Sequence, residues 1–173
     1  MKRALFGISG VSALVCALLI GACTNYPHDP LNTLVTVEQT HTLRVGLIAE
    51  PPWVYSNVHA EKTEPAGLEP AIVSEFAHAL GVTVKWEFLS EAQATEKLKN
   101  HALDLVAGGL TKHSPRIKEL GFTRPYLKTG VGDRHQHVLA VTQGENRFLV
   151  TLEKFLKTHE LFIRNQYDNE VES

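Results

Sequence analysis

The feature that most constrains the fold is an alternation of strand and helix patterns through the first half of the chain. The strand patterns alternate apolar with polar residues or form a short apolar run, and the helix patterns repeat apolar residues every three or four positions. The strands are Thr42–Ile48, Val82–Phe88 and Leu103–Ala107, and the helices are Leu68–Leu80 and Ser90–Asn100. This β-α-β-α-β order predicts an α/β fold, a parallel sheet with helices on its faces. Ligands of such sheets bind at the carboxyl ends of the strands.

The second half of the chain predicts a strand that returns to the sheet and a helix that closes the domain. Gln136–Val141 has a strand pattern, and Leu127–Arg134, with two glycines, is predicted as a loop before it. Glu145–Thr158 is an amphipathic helix pattern that Glu160–Tyr167 continues, and we expect the acidic end to fray. The predicted domain is therefore a mostly parallel sheet flanked by helices, with one returning strand.

A glycine turn follows the third predicted strand. Gly108 and Gly109 allow the backbone to turn tightly and to approach a neighbouring group closely. Ser114 and Pro115 are typical of a helix start, so free backbone N–H groups meet a helix N-terminus, an arrangement that favours an anion. Arg116 adds a planar fork of donors that suits a carboxylate or phosphate. An ordinary strand-to-helix turn is the alternative interpretation.

A stiff loop follows the first strand at the same edge of the sheet. Pro51 and Pro52 restrict this loop and hold Trp53 at the end of the strand. An aromatic ring on a rigid loop can serve as a ligand platform. The alternative is that Trp53 only covers the core, and the residues alone slightly favour that alternative.

The N-terminus is predicted to be a targeting segment. Lys2 and Arg3 precede an uncharged apolar run, Ala4–Ile20, which ends in small residues before Cys23. Leu19–Cys23 resembles the bacterial lipobox, whose cysteine becomes the lipidated first residue of the mature protein. A signal peptide cut elsewhere or a retained anchor helix is the alternative. We expect a signal peptide over 1–22, the lipidated Cys23 and a tether over 23–40, a folded lobe over 41–168 and a flexible tail over 169–173.

Composition excludes several classes of function. The formal net charge is −2 and no basic stripe is present, so nucleic acid is not an expected partner. The mature chain would keep only Cys23 of the two cysteines, which leaves no disulfide and no cysteine-based metal site. His135 and His137 lie two apart on a predicted strand and face one side, but without a third ligand we interpret them as a solvated face. We predict no metal and no cofactor, and expect Asp104 to bind neighbouring backbone rather than act as a base.

Four short motifs, in this order and spacing over roughly 85 residues, resemble bacterial extracellular solute-binding proteins of family 3, the periplasmic receptors for polar amino acids. The motifs are Leu43–Gly46 with Pro51–Trp53, Gly67–Glu69 before a helix, Leu103–Thr111 with Arg116, and Phe122–Tyr126. The resemblance implies one lobe of a type II periplasmic-binding-protein-like fold. It also implies a ligand α-carboxylate on Arg116, help from the Gly109–Thr111 backbone and the Thr111 hydroxyl, and packing of Trp53 on the ligand. The predicted ligand-binding residues are thus Trp53, Gly109, Leu110, Thr111 and Arg116.

This chain departs from the family pattern in two places. Members run through a hinge into a second lobe and return, whereas only Leu127–Arg134 fills that gap here. One lobe offers half a cleft, so we expect weak binding unless a second subunit or a partner completes the site. His113 stands where the family often has threonine, which weakens any transfer of ligand identity.

The leading hypothesis is a lipid-anchored solute-binding protein of the bacterial cell envelope, facing the periplasm or exterior, that binds a small anionic or zwitterionic solute. Besides that solute and the membrane reached through its lipid, candidate partners are a transporter permease, a second copy and another envelope protein. The alternative is an interaction or regulatory module without solute binding. The fold family includes lytic transglycosylases and dehydratases, but their catalytic groups lie in an appended domain or in the absent lobe, so we expect no enzyme.

Overall fold

The computed structural model describes residues 29–57, 64–115 and 119–172. The helices are α1 (Thr33–Thr40), α2 (Leu68–Leu80), α3 (Glu91–Lys99), α4 (Asn146–Thr158) and α5 (Glu160–Glu172). The strands are β1 (Thr42–Leu47), β2 (Tyr55–Asn57), β3 (Glu64–Ala66), β4 (Thr83–Phe88), β5 (Leu105–Ala107), β6 (Gly121–Phe122), β7 (Leu127–Lys128), β8 (Gln136–His137) and β9 (Ala140–Val141). Asp133–His135 form one turn of 3₁₀ helix.

The central sheet has the strand order β4-β1-β5-β9-β6. Strand β1 runs parallel to both β4 and β5, with Leu47 opposite Phe88 on one side and Ala107 on the other. Strand β9 is antiparallel to both β5 and β6. The predicted fold class, a mostly parallel sheet with one returning strand, is therefore confirmed.

Apolar residues on the two sides of the sheet form separate cores, because successive side chains of a strand point to opposite faces. Leu105 and Ala107 belong to the larger core, where β1 packs with α1, α2, α4 and α5. Val106, between them, belongs to the smaller core beneath α3, with Leu98 and Ala140. Helices thus cover both faces, as a parallel sheet requires.

The helix ends follow the predicted signals. Ser90 caps α3 through a capping box in which its hydroxyl accepts from Gln93 N–H and the Gln93 side chain accepts from Ser90 N–H. Gly81 ends α2 with φ 70°, a left-handed conformation that favours glycine. These ends fix the loops that lead into β4 and out toward β5.

The structure corrects the end of the predicted tether over 23–40. Thr33–Thr40 form α1, and Leu34 and Val37 are buried in the larger core. With only two core residues in eight, this helix has a weak apolar period, so the sequence pattern did not reveal it. Helix α1 is part of the folded lobe.

Two buried carboxylates fasten the segment before α1 to the start of α4. Asp29 accepts hydrogen bonds from the N–H groups of Arg147 (2.5 Å) and Phe148 (3.0 Å), and Glu145 accepts from Leu31 and Thr33 (3.0 Å each). Asp29 thereby satisfies N–H groups at the start of α4, and Glu145 satisfies N–H groups at the start of α1. The described chain is therefore packed against the lobe from Asp29 onward.

The predicted strand Gln136–Val141 is divided between two sheets. Strand β8 pairs with β7 inside the segment predicted as a loop, with Leu127 opposite His137, whereas β9 enters the central sheet. Between them, Val138 N–H donates to Leu110 carbonyl. This crossing brings the β7–β8 hairpin beside the glycine turn.

Helix α5 continues through the segment predicted to fray and ends at Glu172. Ile163 is fully buried, and the hydroxyl of Tyr55 donates to Glu170 at 3.1 Å. Of the predicted flexible tail, residues 169–172 are therefore helical. Among the described residues, no helix combines the length and the apolar character needed to cross a bilayer.

Candidate ligand-binding cleft

A cleft of about 370 Å³ lies at the carboxyl ends of β1 and β5. Four of the predicted ligand-binding residues line it: Trp53, Gly109, Leu110 and Thr111. Two further predictions, Arg116 as the carboxylate partner and Cys23 as the lipidation site, fall outside the described residues. The fold thus brings the aromatic loop and the glycine turn to one edge of the sheet.

The glycine turn is pressed against the loop that follows β1. A side-chain Cβ at Gly108 would lie 2.5 Å from the Cβ of Ile48, and one at Gly109 would lie 2.7 Å from the Cδ1 of Trp53. Gly109 also has φ 63°, which side chains rarely adopt. Both contacts explain why glycine is required at these two positions.

A buried carboxylate occupies part of the donor set that the sequence predicts for an external anion. Glu69 is 0% exposed and accepts hydrogen bonds from the N–H groups of Gly108 (2.5 Å) and Gly109 (3.1 Å). The hydroxyl of Tyr126 donates to its other oxygen at 2.5 Å. The expectation that these N–H groups are free is wrong, since the chain supplies its own anion.

Sequence reasoning missed this role of Glu69, although a signal was present. Glu69 shares the helical face of Ile72, Val73 and Phe76, so a charged residue lies in the apolar stripe of α2. A carboxylate on a buried face needs partners. The identity of those partners depends on contacts 39 and 40 residues away, which periodicity does not reveal.

Burial changes the proton affinity of this network. Desolvation raises the pKa of Glu69 from 4.5 to about 7, against the opposing effect of its hydrogen bonds from Tyr126 and the two glycines. Burial and the nearby Glu69 carboxylate raise the pKa of Tyr126 well above its ordinary value. Near neutral pH, Glu69 therefore exchanges between its charged and neutral forms while Tyr126 remains protonated.

Two donors of the turn stay available to a ligand. Thr111 N–H donates to the Ser114 hydroxyl (3.0 Å), and the Thr111 hydroxyl oxygen accepts from His113 N–H (3.3 Å). The Thr111 hydroxyl proton has no acceptor among the residues that the structure describes, so it can donate to a ligand. Leu110 N–H has no partner among the described residues. Leu110 N–H and Thr111 Oγ1–H are thus the donors that this turn can offer an anion.

The indole of Trp53 is covered mainly by other rings of the same chain. Only 9% of Trp53 is exposed, and its ring stacks on His137 with 3.7 Å between centroids and on Tyr167 of α5 with 5.6 Å. The predicted platform therefore lines the cleft but presents little free surface. Trp53 therefore both covers the core, as one interpretation expects, and lines the cleft, as the other expects.

The interpretation of His137 as part of a solvated face is wrong. His137 is 6% exposed because it stacks on Trp53 and contacts the Thr129 hydroxyl through Nε2 at 3.3 Å. Its Nδ1 is buried without a hydrogen bond of acceptable geometry among the described residues, although the Gly109 backbone lies close. Burial, and then repulsion from His135, lowers its pKa to about 4, so His137 is neutral at pH 7.

Charged residues of both signs also line the cleft. Glu50 and Glu91 bring carboxylates to its walls, and Arg134 brings a guanidinium. Sequence reasoning assigned no acidic residue to the site, because none of these positions belongs to a recognised motif. The described residues contain no group of three or more His, Cys, Asp or Glu side chains placed to hold a metal ion.

Asp104, directly before β5 and at the opposite end of that strand from the glycine turn, has the structural role predicted for it. Its carboxylate accepts from Arg44 N–H (2.8 Å), Arg44 Nε (3.1 Å) and Arg44 Nη2 (2.6 Å), and Asp104 is 2% exposed. These bonds tie the start of β1 to the segment before β5. Asp104 therefore stabilises the sheet and does not reach the cleft.

The fold and this cleft match a known family. Residues 43–159 match the model of the bacterial extracellular solute-binding proteins, family 3, and the chain belongs to that family. Domains of this family are extracellular or periplasmic, so this chain is a solute-binding domain of the cell exterior or envelope.

A curated relative is the membrane-bound lytic murein transglycosylase F of Idiomarina loihiensis. The two are 27% identical over 143 residues, an alignment that covers 76% of this chain and 30% of the relative. The chain thus spans about a third of the length of this relative.

Solved structures of similar fold are amino-acid-binding domains. Domain 1 of the T. maritima arginine-binding protein, in its arginine-bound form, has a TM-score of 0.63 and 24% identity, over 71% of this chain and 97% of that one. An amino acid transporter substrate-binding protein of Streptococcus pneumoniae bound to L-arginine has a TM-score of 0.68 and 11% identity, over 81% and 96%. An ancestral amino-acid-binding protein, a precursor of cyclohexadienyl dehydratase, has a TM-score of 0.69 and 15% identity, over 80% and 98%. At these identities, the likeness shows the fold of the lobe.

Proposed function

We propose that this chain is a lipid-anchored solute-binding domain of the cell envelope, whose ligand is a small amino-acid-like molecule with a carboxylate. The observation that carries the proposal is the convergence of Leu110 N–H, the Thr111 hydroxyl and the Trp53 loop on one cleft at the carboxyl end of the sheet. Arg116 would pair with the carboxylate, as the family resemblance implies. Backbone and hydroxyl donors would complete its shell.

The charges of the cleft favour a ligand that also carries a positive group. Glu50 lines the same cleft, so an ammonium or guanidinium would meet a carboxylate there, while Arg134 of the cleft wall would face the ligand's carboxylate. The second carboxylate of a dicarboxylate would meet like charge at Glu50. The arginine-bound structures of related fold agree with this preference for a zwitterionic or basic amino acid.

A single lobe is enough for the proposed binding, at reduced affinity. Domain 1 of the T. maritima protein is arginine-bound without its second lobe. Here the cleft is open and most of Trp53 is covered, so a ligand would bury less of its surface than in a closed two-lobed receptor. We therefore expect weak binding by the single lobe, or completion of the site by a second copy, a permease or another envelope protein.

The anchor is proposed from the sequence and supported by the relative. Residues 1–22 would be removed as a signal peptide and Cys23 would carry the lipid, followed by the short tether and the lobe. The curated relative is itself a membrane-bound protein. Its transglycosylase activity is not proposed for this chain, which matches only 30% of its length.

Calorimetry and thermal unfolding of residues 24–173 with L-arginine, L-glutamine, L-glutamate and agmatine would test the function. Agmatine is arginine without its carboxylate, so it isolates the proposed carboxylate contact. A ligand at a hundredfold excess over its dissociation constant stabilises the native state by about 2.7 kcal/mol. We expect arginine to shift the unfolding midpoint, agmatine to shift it much less, and glutamate to have no effect.

Two variants locate the binding site. Arg116→Ala should abolish the shift, whereas Arg147→Ala, which removes an exposed arginine at the start of α4, should leave it unchanged. A shift that survives Arg116→Ala would contradict the carboxylate assignment. No shift by any of these amino acids at millimolar concentration would contradict solute binding by the lobe alone.

The second candidate is an interaction module without solute binding. The cover of His137 and Tyr167 over Trp53 favours it, because the surface that a ligand would use is already packed. In that case the same calorimetry would show no amino acid binding in either the wild type or the variants. Binding assays with isolated envelope proteins would then be needed to find the partner.

A further inference from the structure

A second concave surface shares no lining residue with the cleft. It is a groove of about 600 Å³ between the segment 124–128 and the helices α4 and α5. Buried apolar side chains form its floor, among them Tyr126, Leu127 and Leu156. None of the predicted ligand-binding residues lines it.

Three lysines stand around this floor. Lys128 follows the floor residue Leu127, and Lys154 and Lys157 extend from α4. All three are exposed, and none forms a hydrogen bond or ion pair through its side chain with a described residue. Their charges are therefore available to an anion in the groove.

The acidic residues of the groove are already paired. Glu153 lies 3.6 Å from Arg124 Nε, and Glu160 lies 3.8 Å from Arg164 Nη2. Within each of these two pairs, the positive and the negative charge cancel. The groove is left with the excess of three positive charges from the lysines, in a chain whose net charge is −2.

The clamp at Asp29 places this groove close to the proposed anchor. Asp29 accepts a hydrogen bond from Phe148 N–H and is six positions after Cys23, a span of at most about 20 Å. Lys154 and Lys157 lie about 9 and 14 Å further along α4 than Phe148. The groove is thus within reach of the membrane that would hold the lipid.

We propose that this groove binds anionic phospholipid headgroups of the membrane to which the chain is anchored. The three lysines meet phosphate groups, and the apolar floor takes the glycerol region. Each lysine near an anionic surface raises partitioning by about fivefold, and the factors multiply, so that three lysines raise it by about a hundredfold. The location rests on the proposed lipid anchor, but binding by the groove itself does not require the lipid.

Vesicle flotation with residues 24–173 tests the proposal without the anchor, because this segment contains every described residue of both cores. The vesicles contain either phosphatidylcholine alone or phosphatidylcholine with phosphatidylglycerol, at low ionic strength. We expect binding only to the anionic vesicles. The variant with Lys128→Gln, Lys154→Gln and Lys157→Gln should lose about a hundredfold in partitioning, and added salt should weaken wild-type binding.

A matched variant separates the groove from net charge. Changing Lys85, Lys97 and Lys99 to glutamine alters the net charge equally on β4 and α3, away from the groove. Equal losses in the two variants, equal binding to neutral vesicles, or no flotation would each overturn the proposal. Inorganic phosphate at millimolar concentration is a further competitor. If it suppresses vesicle binding more than sodium chloride of equal ionic strength does, the groove is a site for free phosphate instead.

The failure of this proposal is distinguishable from failure of the proposed function. Amino acid binding is measured calorimetrically on the same preparation without vesicles. Lipidation is measured separately, by metabolic incorporation of a labelled fatty acid into the wild type and into Cys23→Ala. Loss of flotation with intact amino acid binding would reject the groove alone.

Discussion

Glu69 accepts a hydrogen bond from the N–H of Gly109 at 3.1 Å, from a position 40 residues earlier in the chain. This contact fixes the glycine turn from inside the protein. Because the pKa of Glu69 is raised from 4.5 to about 7, the folded state holds its proton more tightly than the unfolded state does. Its contribution to stability is therefore fully present below pH 4.5 and is lost as the pH rises to about 7, by about 3 kcal/mol.

Glu69→Gln tests this linkage, because an amide keeps an acceptor for the glycine N–H groups and, like the protonated acid, presents a donor to the Tyr126 oxygen. Denaturant unfolding from pH 4 to 8 should show that the variant gains stability relative to wild type as the pH rises. Glu38→Gln, an exposed change on α1, should follow the wild-type curve. Parallel curves for Glu69→Gln and wild type would show that Glu69 titrates as an ordinary carboxyl group.

His137 should give the opposite pH dependence. Its folded pKa of about 4 lies below the ordinary 6.5, so its contribution is present above pH 6.5 and is lost as the pH falls toward 4. A titration of histidine Cε1–H resonances by NMR should place one midpoint near 4, and His137→Phe should remove it. A titration of that resonance near 6.5 would contradict the buried stack on Trp53.

Tyr167 is predicted to shield Trp53. Tyr167→Ala should expose the indole, shift its fluorescence to longer wavelength and reduce stability by about 1 to 2 kcal/mol through lost aromatic packing. The measurement uses a Trp86→Phe background, since the chain has two tryptophans. Tyr167→Phe keeps the ring and should leave the emission unchanged, whereas an unshifted spectrum in Tyr167→Ala would show that α5 does not cover Trp53.

Asp104 should be among the most sensitive positions of the sheet. Asp104→Ala removes three hydrogen bonds to Arg44 and should reduce the free energy of unfolding by about 2 to 4 kcal/mol. Asp168→Ala, at an exposed site on α5, should change it by less than about 0.5 kcal/mol. Chemical denaturation would compare the two, and equal effects would rule out the structural role of Asp104.

The central sheet was predictable because its elements carry strong local patterns. The alternation in β1 and β4, the cap at Ser90 and the stop at Gly81 all agree with the observed bounds. Their order then fixes the parallel topology, since parallel strands need crossovers on the faces of the sheet. The convergence of Trp53 with the glycine turn follows from that topology.

The remaining features depend on contacts that local patterns do not encode. Helix α1 is held by two buried apolar residues and by the Glu145 clamp, which comes from the far end of the chain. The same holds for the stack of Tyr167 on Trp53 and for the division of Gln136–Val141 between two sheets. Each of these features depends on contacts between segments that are far apart in the sequence, and local sequence patterns do not encode such contacts.

The placement of β9 between β5 and β6 has a consequence for how the protein is made. Strand β6 pairs with β9, which is synthesised later, so Gly121–Phe122 must wait for Ala140–Val141 before joining the sheet. Until then, the edge of β5 that β9 will cover stays open, and such edges recruit other chains. A polypeptide halted between these two strands would lack β9, α4 and α5, so the edge of β5 would stay open and the larger core would be incomplete. Such a chain would be prone to aggregation through that edge.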